Sequence, residues 1–277
     1  MNLKTRLDNR YKKFVFNLIA SESSIFNLYH KYFYTPKENS LACFLNNYSK
    51  ANAGLTVVQI GANDGYNRDP YVKFIKRDKW KGILVEPQPY VFETYLKKLY
   101  RKSNLIIPYN CAIDNSNGTR NMYKLSFSNA RWATGLTTFD RDVLEKAIDS
   151  GHVAGHAQKS GIELPQNRQD YITEEAIETI TPESLLKKHN ISNVDLLAID
   201  TEGYDFEVIK MFNVPKLKPR VIVYENMILS DKDKKEAATF LEEAGYLTRN
   251  IKKDTVAILR GDKDINTLSD CFNENNV

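Results

Sequence analysis

The hydrophobic pattern of the chain changes character at Leu55. Before it, apolar residues recur at spacings of three and four, which is the period of amphipathic helices. Pro36 interrupts this pattern, and Leu41 to Tyr48 predict another short helix. We therefore expect a helical cap over residues 1–54. Its basic, aromatic face leaves a role at a membrane surface open.

From Leu55 onward, short apolar runs alternate with helix-like segments, the pattern typical of a parallel sheet. The predicted strands are LTVVQI (55–60), GILVEP (82–87), LIIPYNCAI (105–113), VDLLAID (194–200) and RVIVYEN (220–226). A helix capped by Ser230 or Asp231 and ended by Gly245 follows. The segment YLTRNIKKDTVAIL then predicts an antiparallel hairpin, and the predicted α/β domain spans residues 55–260.

Two segments do not fit the alternation. Residues 114–180 are too long for a simple crossover and contain polar, glycine-bearing stretches around one short helix. Long insertions of this kind are usually functional, so we expect a lid over about residues 121–180. Residues 261–277 are expected to form a loose polar tail.

The first predicted strand ends in a glycine-bearing turn, VVQIGANDGYNRDP (57–70). In an open parallel sheet, ligands bind outside the carboxyl ends of the strands, so this turn is a natural binding-site floor. Gly61 and Gly65 permit positive φ and close approach of a ligand to the backbone, with Asn63 and Asp64 between them. The spacing G-x-x-x-G differs from the G-x-G-x-x-G of dinucleotide-binding folds.

The next two strand ends extend this picture. Glu86, about twenty residues after the turn, is placed to accept hydrogen bonds from ribose hydroxyls, and Pro87 ends its strand. A solvated strand-end carboxylate is the plain alternative. The small residues Cys111 and Ala112 leave room for a flat base, whose amino group Asp114 could meet.

The blocks VVQIGANDGYNRDP, GILVEPQPYVFETYLKKL, NCAIDNSNG and IDTEGYDFEVIK resemble the FkbM-type S-adenosylmethionine-dependent methyltransferases over about residues 55–230. The family usually has Asp where this chain has Gln59, at the contact to the methionine end of the cofactor. The resemblance implies a class I methyltransferase fold, with a Rossmann-like, seven-stranded, mostly parallel sheet and an antiparallel final strand. It also implies S-adenosylmethionine as cofactor and O-methylation, often of a sugar in a glycan or glycoconjugate.

Two other readings stay open. One is a nucleotide-sugar or NAD(P)-dependent oxidoreductase on a similar sheet, which the glycine spacing and the final hairpin disfavour. The other is a non-catalytic member that keeps the fold for binding.

Carboxylates after the fourth and fifth predicted strands are candidates for positioning the cofactor and acceptor. Asp200 and Glu202 are expected to face the site, whereas Asp205 could cap the following helix. Glu225 is either an acceptor-binding residue, a structural hydrogen-bond hub or, with Asp200, part of a magnesium site. Whether a metal takes part is left open.

The insertion supplies the remaining candidates. His152 and His156 are spaced i, i+4, but Val153 stands where a metalloprotease has Glu, which disfavours zinc. We expect one of them to act as general base, because histidine titrates near neutral pH without a shifted pKa. Arg131 and Trp132 form a candidate sugar-binding pair, with a packed Trp as the alternative.

Composition limits the expected partners and the expected location of the protein. The chain has 277 residues, a formal net charge of +4 and no dense basic block, so nucleic acid is not an expected partner. The three cysteines are odd in number and far apart, which disfavours a disulfide framework and fits a reducing, cytoplasmic location. No apolar run is long enough for stable membrane insertion. The oligomeric state and the identity of the acceptor are left open.

Overall fold

The computed structural model describes the backbone of residues 3–272 and the side chains of residues 10–272. Its strands are β1 Thr56–Ile60, β2 Lys81–Val85, β3 Ile106–Tyr109, β4 Ala112–Ile113, β5 Gly118–Leu125, β6 Ile172–Ile180, β7 Leu196–Ile199, β8 Val221–Glu225, β9 Tyr246–Ile251 and β10 Asp254–Leu259. Its α-helices are α1 Leu3–Ala20, α2 Ser24–Tyr32, α3 Leu41–Ala51, α4 Val72–Arg77, α5 Pro89–Val91, α6 Lys97–Leu99, α7 Arg131–Thr134, α8 Arg141–Asp149, α9 His152–Ser160, α10 Pro182–Lys188, α11 Asp205–Met211, α12 Val214–Leu217, α13 Asp231–Glu243 and α14 Asn266–Asp270. A π-helical turn (Phe92–Leu96) joins α5 to α6, and a 3₁₀ turn (Arg168–Tyr171) precedes β6.

The main sheet has seven strands in the order β3-β2-β1-β7-β8-β10-β9. In this sheet, β3, β2, β1, β7 and β8 run parallel to one another. Strand β10 runs antiparallel to both β8 and β9. This confirms the predicted class I arrangement with an antiparallel final strand. The strand order reverses between β1 and β7, and the carboxyl ends of these two strands therefore define the expected ligand site.

Apolar residues alternate between the two faces of this sheet, so both faces are covered. On one face, Val57 and Leu196 pack with Phe44 and Tyr48 of α3. On the other face, Val58, Leu197 and Ile222 pack with residues of α11 and α13, including Val208 and Leu241. Ser40 caps α3 by accepting a hydrogen bond from Cys43 N, and Ser230 caps α13 from Asp233 N. The N-terminal helices thus share a core with the sheet.

The third predicted strand, residues 105–113, is divided in the structure. Strand β3 ends at Tyr109 because the side chain of Asn110 turns the chain, its Nδ2 donating to the carbonyl oxygens of Glu86 (2.7 Å) and Pro87 (3.0 Å). Ala112 and Ile113 then pair with β6 in a separate three-stranded sheet of order β4-β6-β5. The continuous-strand prediction was therefore wrong at its end.

The insertion is a folded unit, which corrects the expectation of loops around one short helix. Strands β5 and β6 form a long antiparallel ribbon, and α7, α8 and α9 pack against it. Leu125, Ala133, Leu144, Ile148 and Val153 form its apolar cluster. Whether this unit moves as a lid stays a prediction.

The C-terminal segment is not a loose tail up to residue 272. Helix α14 follows β10, and Leu268, Cys271 and Phe272 are buried in the core that contains α3. Cys271 Sγ lies 3.0 Å from Cys43 Sγ, so two cysteines that are far apart in sequence are neighbours in space. Residues 273–277 of the expected tail lie outside the described residues. In the part that is described, no helix is long and apolar enough to cross a membrane.

Candidate functional site

Two adjoining cavities lie at the carboxyl ends of the main-sheet strands. The larger one, of about 650 Å³, extends from the ends of β1, β2 and β7 to β4, β5, α7 and the start of α8. The smaller one, of about 230 Å³, lies between the β1 turn, the end of β7, the β9–β10 turn and the start of α3. Both are lined by Ile60, Gly61, Asn63, Arg131 and Asp200. Both cavities therefore lie at the reversal of strand order, where the sequence analysis expects a ligand to bind.

The glycine turn has the predicted positive φ angles, +79° at Gly61 and +73° at Gly65. A Cβ at Gly61 would lie 1.8 Å from the carbonyl oxygen of Asp200, and one at Gly65 would lie 2.7 Å from Leu96 Cδ1. Packing against backbone thus requires glycine at position 61, whereas at Gly65 the positive φ and a side-chain contact disfavour any other residue. Gly61 lines both cavities, whereas Gly65 lies behind the turn.

Glu86 fastens the end of β2 to this turn. Its Oε2 accepts a hydrogen bond from Asn63 N (2.8 Å) and its Oε1 accepts one from Gln88 N (2.9 Å). Burial raises the pKa of Glu86 to about 7, although these two N–H groups favour its charged form. A carboxylate oxygen has two lone pairs, so each Glu86 oxygen can accept one more hydrogen bond. Glu86 and Pro87 both line the larger cavity, so a ligand bound there could supply the donor.

The smaller cavity contains groups of both charges. Its walls include Asp64, Asp69, Asp200 and Asp254 together with Arg68, Arg131 and Lys253. Asp64 shapes the turn, because its Oδ1 accepts from the N–H groups of Tyr66 and Asn67. Gln59 Nε2 donates to Asp69 Oδ2 at 2.8 Å, but Gln59 Oε1 is buried and has no hydrogen-bond partner among residues 10–272. A buried acceptor without a donor is costly and indicates room for a ligand donor.

Two of the three residues predicted to form a base slot line the larger cavity, and the role of the slot stays a prediction. Cys111 and Ala112 line the larger cavity together with Ile113. Asp114 is not among the lining residues, because β4 joins the second sheet and the Asp114 carboxylate pairs with Arg120 at 3.3 Å. The structure therefore brings Arg120 to the cavity wall in place of Asp114.

The turn after β7 carries two carboxylates on the cavity wall, Asp200 and Glu202. Loss of solvent raises the pKa of Glu202 to about 7, with a further rise from Asp200 and Glu225 and an opposing effect from Arg131. The pKa of Asp200 is also raised, mainly by loss of solvent and next by Glu225. Glu202 has a φ of +53°, an uncommon conformation for a residue other than glycine.

Asp205 has a structural position. It is fully buried, and its carboxylate accepts hydrogen bonds from Thr201 Oγ1 (3.1 Å), Gly203 N (3.2 Å) and Glu225 N (3.3 Å). It thus fixes the β7 turn against the end of β8. The alternative that Asp205 caps α11 was wrong, because α11 begins at Asp205 and no side chain caps it. This arrangement holds Glu202 toward the cavity.

Glu225 does not line either cavity. Lys253 Nζ lies 3.0 Å from Glu225 Oε1 and 3.9 Å from Asp200 Oδ2, so a cation of the protein already occupies the space between the two carboxylates. Across residues 10–272, no group of three or more His, Cys, Asp or Glu side chains is arranged to hold a metal ion. The hypothesis of a magnesium site at Asp200 and Glu225 therefore does not fit this geometry.

His152 and His156 lie outside the walls of both cavities. They share one face of α9, with their rings 4.6 Å apart, and His156 stacks on Trp132 at 5.5 Å. Trp132 packs with Phe127 in the insertion and also does not line the cavities, whereas its neighbour Arg131 lines both. Of the expected histidine base and the expected Arg–Trp pair, only Arg131 therefore lines the cavities.

The insertion adds residues that sequence reasoning missed. Arg120 and Tyr123 from β5, and Thr134, Thr137, Phe139 and Arg141 from the α7–α8 region, line the larger cavity. Thr137 Oγ1 donates to Gln88 Oε1 at 2.9 Å and so connects the insertion to the end of β2. No local signal was available for the β5 residues, because the burial of that strand shows no simple alternation.

Comparisons with known proteins identify a family for this chain. A family described as the methyltransferase FkbM domain matches residues 59–248. Comparison with curated protein sequences returned no match. Among solved structures, the chain is similar to a methyltransferase FkbM from Methylobacillus flagellatus KT, with 11% identity, a TM-score of 0.42 and coverage of 74% of this chain and 43% of that one.

Two further solved structures show similar levels of likeness. A SAM-dependent methyltransferase from Aquifex aeolicus has 12% identity, a TM-score of 0.36 and coverage of 83% of this chain and 96% of that one. A precorrin-6y C5,15-methyltransferase from Geobacter metallireducens GS-15 has 12% identity, a TM-score of 0.37 and coverage of 82% and 91%. The chain thus spans less than half of the first of these relatives and most of the other two.

Proposed function

Because the chain belongs to the FkbM methyltransferase family, we propose that it transfers the methyl group of S-adenosylmethionine to a hydroxyl oxygen of a sugar in a glycan or glycoconjugate. The observation that carries this proposal is the pair of adjoining cavities, with Glu86 at the cofactor side and Glu202 facing the remaining space. The fold alone would suit other methyl acceptors.

The residues present fit the proposed cofactor. Glu86 offers free lone pairs to two ribose hydroxyls, and Cys111 and Ala112 leave space beside it for the base. The unpartnered Gln59 Oε1 suits the ammonium group of the methionine end, and the mixed charges of the smaller cavity suit a group that carries both an ammonium and a carboxylate. Gln59 can therefore replace the family's Asp as a neutral acceptor.

When bound, S-adenosylmethionine supplies an electrophilic methyl group. The protein has to align the acceptor hydroxyl, exclude water and accept the hydroxyl proton. Glu202 meets the last requirement, because it lines the cavity and its pKa of about 7 lets it be both ionised and basic near neutral pH. Asp205 and its hydrogen bonds position Glu202, and Arg131 lies close enough to lower its pKa.

The wall of the larger cavity, to which Glu202 also belongs, supports a sugar acceptor. It includes the aromatic residues Phe139, Tyr123 and Tyr204 and the hydrogen-bond donors Thr138 and Arg141. A sugar presents both apolar C–H faces and many hydroxyls, and such sites combine apolar lining with a few placed polar groups. The composition of this wall therefore favours a carbohydrate over an acceptor without hydroxyls.

The proposal is tested by incubating the protein with S-adenosylmethionine that carries a deuterated methyl group and with panels of carbohydrates, amines and RNA oligonucleotides. Mass spectrometry should locate the label on an oxygen of a carbohydrate. A label on nitrogen or on RNA would contradict the proposed acceptor. Thermal stabilisation by NAD(P) in place of S-adenosylmethionine would favour an oxidoreductase instead.

The role of Glu202 has its own test. Glu202→Gln should lower kcat by about 10²–10⁴-fold, the usual contribution of a general base, without weakening cofactor binding. The kcat of the unmodified protein should rise with pH through about 7 as Glu202 ionises, and this rise should vanish in the variant. Glu207→Gln, an exposed carboxylate on α11, is the matched control. If His152→Ala or His156→Ala loses turnover while Glu202→Gln keeps it, a histidine is the base.

A further inference from the structure

Helix α2 has an apolar face that the rest of the protein does not cover. Ile25, Leu28, Tyr29, Tyr32 and Phe33 recur at i, i+3, i+4, i+7 and i+8, the spacing of one helix face. Their exposed fractions are 71%, 52%, 53%, 65% and 74%, respectively. Isolated exposed apolar residues are ordinary, but five on one face of a short helix form a contiguous surface. These five residues are called the α2 stripe below.

The α2 stripe does not serve to hold the helix in place. The opposite face does so, because Phe26 is buried in the main core and the carbonyl oxygen of His30 accepts a hydrogen bond from Arg77 Nη1 at 3.2 Å. Arg77 belongs to α4, which packs along α2. The helix is thus fixed by one apolar face and presents a second one outward.

The charges within the α2 segment have one sign. Residues 23–37, which include α2, contain Lys31 and Lys37 and no acidic residue, and Glu22 and Glu38 flank this segment. Glu22 forms an ion pair with Lys76 of α4 and so does not offset the outward cations. Lys31 and Lys37 are exposed, and so is Glu38. Lys31 lies between stripe residues in sequence, with its Nζ 5.3 Å from the ring centroid of Tyr32.

We propose that the α2 stripe and its neighbouring cations dock the protein on an anionic lipid surface. A short amphipathic helix with an apolar aromatic face and a cationic surround lies in the plane of a membrane interface, with the apolar side chains below the headgroups. Tyr29 and Tyr32 suit that level because each has an apolar ring and a polar hydroxyl. Lys31 and Lys37 then face the negative headgroups.

Charge decides between a lipid surface and a second copy of this chain. A symmetric dimer through the α2 stripe would place the same patch, with its lysines, on both sides of the interface. Like charges that are brought together in this way oppose association. An anionic bilayer satisfies both the apolar stripe and the cations.

Vesicle sedimentation tests the proposal with the full chain. The protein should co-sediment with vesicles that contain phosphatidylglycerol, bind pure phosphatidylcholine vesicles about tenfold more weakly or worse, and lose affinity as salt is raised. The double variant Leu28→Ser, Phe33→Ser should bind anionic vesicles at least about tenfold more weakly, because two inserted apolar side chains are removed. Lys31→Glu should also weaken binding about tenfold at low salt.

Matched controls use exposed residues elsewhere. Leu247→Ser on β9, where the side chain is 38% exposed, and Lys232→Glu on α13 should leave vesicle binding unchanged. Circular dichroism and thermal melting should show all variants folded, because the substituted side chains are exposed.

Three results would overturn the proposal: no binding to any vesicle, binding that the α2 variants do not weaken, or equal binding to anionic and neutral vesicles. Analytical ultracentrifugation adds a fourth. A dimer that the double variant dissociates would show that a second copy covers the stripe instead.

Discussion

The strongest prediction concerns Glu86 and cofactor affinity. Glu86→Ala removes the acceptor proposed for two ribose hydroxyls, and a hydrogen bond to a charged group contributes about 1.5–3 kcal/mol. The dissociation constant of S-adenosylmethionine should therefore rise by at least about 10- to 150-fold, since 1.4 kcal/mol corresponds to a factor of ten. Asn63 N and Gln88 N lose their acceptor in the free and bound protein alike, so this second loss lowers the stability of the turn.

The same residue predicts a pH dependence. Burial raises the pKa of Glu86 to about 7 in the free protein, and ribose donors bind its ionised form best. Affinity should therefore fall as the pH is lowered below 7. Glu86→Gln should abolish this dependence, because an amide does not titrate in this range.

Isothermal titration calorimetry at pH 6, 7 and 8 measures both effects. Glu202→Gln serves as control, because Glu202 also has a pKa of about 7 but is assigned to the acceptor side. It should keep both the affinity and its pH dependence. If folded Glu86→Ala binds S-adenosylmethionine as tightly as the unmodified protein, the ribose assignment is refuted.

Three further predictions follow from the geometry. Gly61→Ala should destabilise the protein by about 3 kcal/mol or more in urea unfolding, whereas Gly151→Ala, at nearly the same φ (+78°) but with open space around it, should cost only about 1 kcal/mol; equal losses would contradict the packing argument. The free energy of unfolding should fall as pH rises from about 5 to 8, because burial raises the carboxyl pKa of Glu86 from 4.5 to about 7; this group alone accounts for about 3 kcal/mol, and Glu86→Gln should flatten the profile. Hydrogen exchange over residues 126–163 should be faster than in the main sheet and slow when cofactor and acceptor bind; full protection in the free protein would identify the insertion as scaffold.

The main sheet was predictable because its signals are local. The apolar runs that became β1, β2, β7 and β8 are buried on both faces, and the β9–β10 hairpin has its turn at Lys252 and Lys253, where Lys252 takes a positive φ of +56°. Ser230 and Gly245 delimit α13 as their residue types indicate. In these segments, propensity, periodicity and capping agree.

The insertion was less predictable because its structure depends on distant partners. Strand β5 pairs with β6, some fifty residues later, and its half-exposed residues show no simple alternation. Likewise, the split of the third strand rests on the Asn110 side chain binding the end of β2, which no local pattern shows. The segment after β10 is polar in sequence, yet its few apolar residues are enough to dock α14 on α3.

The residues of the candidate site show the same difference between local signals and distant contacts. Gly61, Asn63, Glu86, Asp200 and Glu202 were identifiable because they follow strands whose ends must converge. The histidines looked suitable on chemistry alone, and only the packing of α9 against Trp132 turns them away from the cavity walls. The contributions of Arg120 and Arg141 depend on how the insertion folds over the sheet.

Comparative mass spectrometry of glycans from cells with and without this gene tests the central claim most directly. We predict that a methyl ether on a sugar is lost in the deletion strain and restored by the intact gene, but not by genes that encode Glu86→Ala or Glu202→Gln. If the glycans are identical in the two strains while a methyl group disappears from RNA, protein or another class of molecule, the protein is a methyltransferase with a different acceptor.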